Sequence, residues 1–296
     1  MQDEYGNPWA YRAKWAYLLL VVLALLAPTF YIIYISFNEH GFAARIYTFT
    51  FDWYRVVFGD KMLVASFGWT GYLALAVVLT TVPLALIAAK FYKRTRRKVM
   101  FVTLMLLPLF VPADIMGSSL LVYFKHLANF FEWLGETLGV GWFQDWFVLG
   151  FTTALIGQII YTLPYAFIVI LITMSRYRDQ QTEAARSCGA TAWQAFWHVE
   201  FPQIRVGVFS ACAFVTILSF NEATRTALLK GGFDTFSNVL VSQMLNVGMS
   251  GESYAMAGAM SMVSMIVIGS IIVYSLIRAE RLERRRRAAA EPVLSQ

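Results

Sequence analysis

Few side chains in this sequence could do chemistry, and they fall into two groups. The first is a pair of carboxylates, Asp114 and Glu222, each placed in or at the end of an otherwise uncharged apolar run. With them go Asn221, beside Glu222, and the series Gln158, Tyr161 and Tyr165, spaced i, i+3 and i+7 so that one helix face carries all three. Ionisable groups in apolar spans are costly to keep, and they mark the routes of ions and polar solutes. This set suits the border of a path whose walls favour a cation. The second group is a polar interruption, Asp179–Arg205, whose chemistry is docking. Asp179 is placed to N-cap a helix over Gln180–Cys188, and Gly189 to stop it in a left-handed conformation. Thr191, with Gln194 three residues on, makes a capping box for a second short helix that Pro202 is expected to end. Ala184, Ala185 and Cys188 are small on one face, and Ala190 follows the glycine. Trp193, Phe196 and Trp197 form an aromatic stripe on the second helix. The stretch predicts two short helices meeting at a glycine.

The elements that must hold these residues are membrane spans. Hydrophobic residues make up 58% of the chain and charged residues 14%, against about a quarter charged in soluble domains. Trp15–Asn38, Met62–Ala89, Trp146–Ser175 and Ser253–Ile277 are charge-free runs, each longer than the ~20 residues a helix needs to cross hydrocarbon. Val99–Phe124, carrying Asp114, is a fifth span, and Val206–Phe220, shorter, a sixth. Treated as straight rods rising ~1.5 Å per residue, the two carboxylate-bearing spans place Asp114 and Glu222 at similar depth. Gln158, Tyr161 and Tyr165 flank a kink expected at Pro164, and Gly117, Ser118 and Ser119 allow close helix approach. The reading is one all-α transmembrane domain over 1–296, with a polar loop at 176–205 and a basic tail at 278–296.

Most of the 24 lysines and arginines, including those of the 90–98 turn and of Arg278–Arg287, lie on the side shared by both termini. The positive-inside rule then gives N-in, C-in. A basic cluster directly after a span is a topology anchor near anionic headgroups, so the tail argues no nucleic-acid partner. The first apolar run is too long for a cleavable signal and reads as a retained span. The two cysteines, Cys188 and Cys212, imply no disulfide framework, and the histidines His40, His126 and His198 are scattered. No Walker A pattern is present, so ATP hydrolysis is not expected of this chain. The outward segments Glu39–Lys61 and Lys125–Asp145 are aromatic-rich, suited to the headgroup level or to a soluble partner.

Glu183-Ala184-Ala185, three residues, Gly189, nine residues, then Val199-Glu200-Phe201-Pro202 resembles the EAA loop of ABC-importer permeases. Val199 and Phe201 replace the usual isoleucine and leucine. The resemblance implies a type-I importer permease fold of six transmembrane helices in the inner membrane of a bacterium. It implies coupling helices seated on an ATPase, carried here by Glu183, Ala184, Ala185, Gly189, Ala190, Trp193, Phe196 and Pro202. It further implies a second permease subunit of different sequence, two cytoplasmic ATPases that bind ATP and Mg, and an extracytoplasmic solute-binding protein. No cofactor is implied in this chain itself.

Ser36-Phe37-Asn38, Trp53-Tyr54, Leu107–Asp114, Thr162–Tyr165 and Leu218–Glu222 are similar to spermidine/putrescine-type permeases. That similarity implies a polyamine or another small organic cation as substrate, passing Asp114, Gln158, Tyr161, Tyr165, Asn221 and Glu222. Asn221 stands where that family often has an acid, which leaves other small solutes open: amino-acid derivatives, opines, aminophosphonates or iron(III). Outside the class, a proton-coupled secondary transporter would use Glu222 or Asp114 as its carrier and need no ATPase.

Overall fold

The computed structural model describes residues 8–40, 46–139, 147–263, 265–266, 269–270 and 274. These are almost wholly helical, with a single isolated bridge between Asn38 and Phe49. The packing divides into two compact units, one of Met1–Lys61 with Ser242–Met265, the other of Met62–Val241 with Ile266–Gln296.

In the first unit, α1 (Pro8–Ser36) is long and almost entirely apolar. Only 6% of its most apolar stretch is buried within the chain, leaving leucine and aromatic surface whose natural solvent is hydrocarbon. After it the chain forms the isolated Asn38–Phe49 bridge and then α2 (Asp52–Gly59). Phe37 stacks on Phe49 and Tyr54, with ring centroids 5.5 and 4.9 Å away. Ser36 Oγ lies 2.7 Å from the Tyr54 hydroxyl, and Trp53 Nε1 donates to the Glu39 carbonyl at 3.2 Å. A last helix, α12, runs over 251–263.

The second unit carries the core. It comprises α3 (Lys61–Arg94), α4 (Lys98–Leu106), a 3-10 turn (Leu107–Phe110), α5 (Ala113–Leu138) and α6 (Phe151–Ser175). Then come α7 (Gln180–Ser187), α8 (Ala192–Ala195), a π-turn (Phe196–Glu200), α9 (Phe201–Phe220), α10 (Thr224–Leu229) and α11 (Phe236–Asn246), whose residues from Ser242 on belong to the first unit. The most extensive helix pairing is α6 on α9, and α10 packs on both α5 and α6. Val77, Ala85, Phe167, Ile170, Met174, Ile204, Ala211 and Val215 fill the space between α3, α6 and α9. Threonines Thr81 and Thr162 meet across α3 and α6 at 3.2 Å. Lys93 and Arg94 in the last turn of α3 complement its dipole.

Among the described residues, four helices are long and apolar enough to cross a membrane: Tyr11–Ser36, Lys61–Arg94, Phe151–Ser175 and Ala192–Phe220. A fifth candidate is broken. The run read as one straight span over 99–124 is two helices, α4 and α5, bent by 98° across Leu107–Pro112. Pro108 and Pro112 each lack a donor, and the chain turns through about a right angle at the tight 3-10 turn where those hydrogen bonds are missing. The equal-depth argument for Asp114 therefore fails, because no continuous rod joins it to Val99. Lys125–Leu138, expected as an outward loop, continues α5, whereas Trp142, Phe143 and Asp145 lie outside the described residues. The span expected over 253–277 is helical at 251–263. Most of its remainder, and the whole basic tail, lie outside the described residues.

Candidate functional site

The 176–205 loop is a bent pair of short helices. Gly189 has φ +90°, a conformation that costs glycine nothing and a β-carbon-bearing residue about 1–2 kcal/mol. Around it the Gly189 amide donates to Arg186 O at 3.0 Å, and the Ala190 amide to Ala185 O at 3.1 Å. Those two bonds are the paired closures of a Schellman stop. The second helix opens on the expected capping box: the Gln194 amide donates to Thr191 Oγ1 at 3.3 Å and the Thr191 amide to Gln194 Oε1 at 2.9 Å.

Two local expectations are corrected. Asp179 occupies the N-cap position of α7 but caps nothing with its side chain; its carboxylate takes Lys93 Nζ at 2.6 Å instead. Pro202 does not end the second helix. It lies in the first turn of α9, where a proline's missing donor is harmless. The widened π-turn before it, closed by the Phe201 amide on Phe196 O, makes one rod of Ala192–Phe220. Glu183, Ala184 and Trp193 are exposed, Ala185, Ala190, Phe196 and Pro202 half-buried. Trp193 keeps 69% of its surface open, and its ring lies 5.5 Å from Trp197 and 6.4 Å from Phe196.

The intramembrane candidates divide. Gln158 is 1% exposed, inside the chain's own packing. Its Nε2 donates to Thr226 Oγ1 at 2.9 Å and its Oε1 accepts from the Ser219 hydroxyl, so it ties α6 to the end of α9 and to α10. Replacement by leucine strands Ser219 and Thr226, and each lost partner costs about 1–3 kcal/mol. Gln158→Leu is expected to lower the thermal midpoint of the solubilised chain by several degrees, read by a dye-binding melt; an unchanged midpoint would refute the tie.

Glu222 is also interior, at 7% exposure, and it is not a free carboxylate. Arg225, one turn on, donates from Nη1 to Glu222 Oε2 at 2.5 Å, and its backbone amide donates to Oε1 at 2.8 Å. The guanidinium carbon lies 4.0 Å from the centre of the Tyr161 ring, a cation–π contact whose strength grows where water is excluded. Arg225 is itself 6% exposed, and its Nε has no partner among the described residues. Gly117, on α5, makes room for α10 here: a β-carbon would come within 2.8 Å of Leu228 and 3.4 Å of the Arg225 backbone. Arg225 went unrecognised in the sequence, where only its i, i+3 spacing from Glu222 signalled a pair.

The remaining candidates keep open surface. Tyr161 and Tyr165 are half-buried with centroids 5.5 Å apart, and Tyr165 touches Phe214 at 5.7 Å. Asn221 is exposed and bonds back to Ile217 O at 2.9 Å. Asp114 is exposed in the first turn of α5, where the helix dipole favours its charge. It makes no ion pair among the described residues.

Residues 81–287 match the family described as binding-protein-dependent transport system inner membrane component. The chain belongs to that family. It is therefore a multi-pass inner-membrane permease subunit of an ABC importer. The ATPase role in such an importer lies in partner subunits. Among curated relatives, the putrescine transport system permease protein PotI of Escherichia coli K12 is 24% identical over 275 residues, covering 91% of this chain and 93% of that one. The sulfate transport system permease protein CysW of Synechocystis is likewise 24% identical, over 274 residues and 90% of each chain. A chain of a bacterial alginate ABC transporter, solved in complex with a pentasaccharide-bound periplasmic protein, superposes with a TM-score of 0.63 at 18% identity, over 93% of this chain and 95% of that one. That likeness bears on the fold, and it agrees with the all-α permease architecture.

Proposed function

We propose that this permease forms half of a translocation path for a small organic cation, a polyamine being the first class to test. In this reading residues 1–296 act as one six-span domain with both termini inside. A second, different permease chain completes the path, two ATPases bind ATP and Mg, and a solute-binding protein delivers cargo from outside. The 176–205 loop seats on an ATPase through Glu183, Ala184 and Trp193. Closure of the ATPases moves the loop and swings the cavity outward. The observation that carries the coupling role is the Gly189 hinge, which presents Glu183, Ala184 and Trp193 exposed on two helices.

The cation reading is supported by the exposed carboxylate of Asp114, which makes no ion pair among the described residues, and by relatives whose names specify putrescine. Asp114, Tyr161, Tyr165 and Asn221 line the path; Gln158 and Glu222 form the frame behind it. Asp114→Asn is expected to cut putrescine uptake at least tenfold in cells expressing the whole importer, with membrane levels unchanged. Full uptake would remove the cation reading. One observation favours another solute: Arg225 cancels the Glu222 charge, and a sulfate permease is as similar in identity as the putrescine one. Titrating the solute-binding protein with putrescine, spermidine and sulfate separates the two.

A further inference from the structure

Beside the last turns of α3 and α6, and along α7 from its N-cap, there is a cavity of about 290 Å³, lined by Lys90, Lys93, Arg94, Asp179, Glu183 and Glu200 among others. Two lysines of α3, one turn apart, reach across it to opposite ends of the bent helix pair. Lys93 Nζ lies 2.6 Å from Asp179 Oδ1, just before α7, and donates to the Tyr177 carbonyl at 3.2 Å. Lys90 Nζ lies 3.0 Å from Glu200 Oε2, in the π-turn, and 3.9 Å from the centre of the Phe196 ring. These contacts are not equal. Asp179 is 65% exposed, and a pair so open to water contributes little by its charge. Glu200 keeps only 10% of its side chain open, so losing Lys90 leaves a nearly buried carboxylate without a partner. The Phe196 ring adds a cation–π contact to the same ammonium, whose side chain is 36% exposed.

We infer that Lys90 and Lys93 are positioning residues that make α3 a third arm of the coupling element. The loop is joined through the chain to α6 and α9 alone; Lys93 and Lys90 fasten it to a span that precedes Asp179 by 86 residues and Glu200 by 110. A displacement of the loop then reaches α3 at the same moment as α6 and α9. The inference rests on the reading that an ATPase seats on this loop.

The test uses the assembled importer with spin labels on Cys188 and at position 91 (Phe91→Cys), in a Cys212→Ser background. Both labelled positions are exposed, at the loop's hinge and on the end of α3. With the lysines intact, the inter-label distance is expected to be narrow and the same in nucleotide-free and ADP–vanadate-trapped states. In Lys90→Gln/Lys93→Gln it broadens and shifts between states. Exchanging the charges (Lys90→Glu with Glu200→Lys, Lys93→Glu with Asp179→Lys) narrows it again, which a role in bulk packing would not do. Should the double variant fail to reach the membrane, Lys90→Gln alone is read in the same way. A narrow, state-independent distance in the glutamine variants overturns the inference. Cross-linking of the ATPase to position 193 (Trp193→Cys) reports separately: its absence removes the docking reading, while the nucleotide-free distance still tests the lysine contacts.

Discussion

Gly189→Val is expected to leave the permease in the membrane at normal amount and to cut uptake at least tenfold. Nothing lies within 4 Å of a β-carbon built at Gly189, so the substitution meets no clash, and its whole cost is in the backbone. At φ +90° that cost is about 1–2 kcal/mol for an ordinary side chain, and more for a β-branched one. The chain escapes by rotating toward a right-handed conformation, which breaks the Ala190–Ala185 and Gly189–Arg186 bonds and turns α8 away from α7. A shift of that energy in a force-bearing step corresponds to roughly tenfold in rate. Residues differ in how well they tolerate left-handed backbone, so the series is graded: Gly189→Asn mild, Gly189→Asp intermediate, Gly189→Val severe. Uptake by the three variants, normalised to immunoblotted membrane protein, gives the ranking. Equal uptake by Gly189→Val and wild type would show that the angle between the two helices carries no force.

That hinge was legible because its determinants are local. A glycine after a short helix, and Thr191 with Gln194 three residues later, specify their geometry within one turn on either side. The long charge-free runs were legible for a similar reason, since lipid solvation depends on composition over about twenty residues. What the sequence hid were choices made between competing partners. Asp179 had a cap within reach and a lysine 86 residues away, and took the lysine. Gln158 looked like a wall residue from its stripe, yet its partners come from 61 and 68 residues further on. Pro202 and the pair Pro108 and Pro112 carry the same local instruction, to end or break a helix. At Pro202 a π-turn absorbs the missing bond and the rod continues, whereas at Pro108 and Pro112 a 3-10 turn exploits it and the rod bends by 98°. Backbone propensity does not separate those outcomes; packing does.

Glu222→Gln is expected to destabilise the permease by about 3–5 kcal/mol, because it leaves the guanidinium of Arg225 buried without its counter-charge. Both side chains are 7% exposed, so solvent does little to screen the loss. Arg225 already has one nitrogen, Nε, without a partner among the described residues, and the variant removes the anion that compensates for this. Arg225→Gln inverts the defect and strands the carboxylate. A double variant, Glu222→Leu with Arg225→Met, takes both charges out together and keeps the volume that α5, α6 and α10 enclose. It is expected to melt closer to wild type than either single variant, with a coupling energy of opposite sign to the single losses. Its transport separates two roles for Glu222. If the pair is a scaffold that holds α10 against Tyr161, the double variant recovers much of its uptake along with its stability. If the carboxylate instead meets the solute, the double variant is stable and inactive. Burial of both groups, the backbone amide committed to Oε1 and the guanidinium over Tyr161 favour the scaffold. Wild-type melting by Glu222→Gln would refute the pair's structural role, because a buried arginine does not lose its anion without cost.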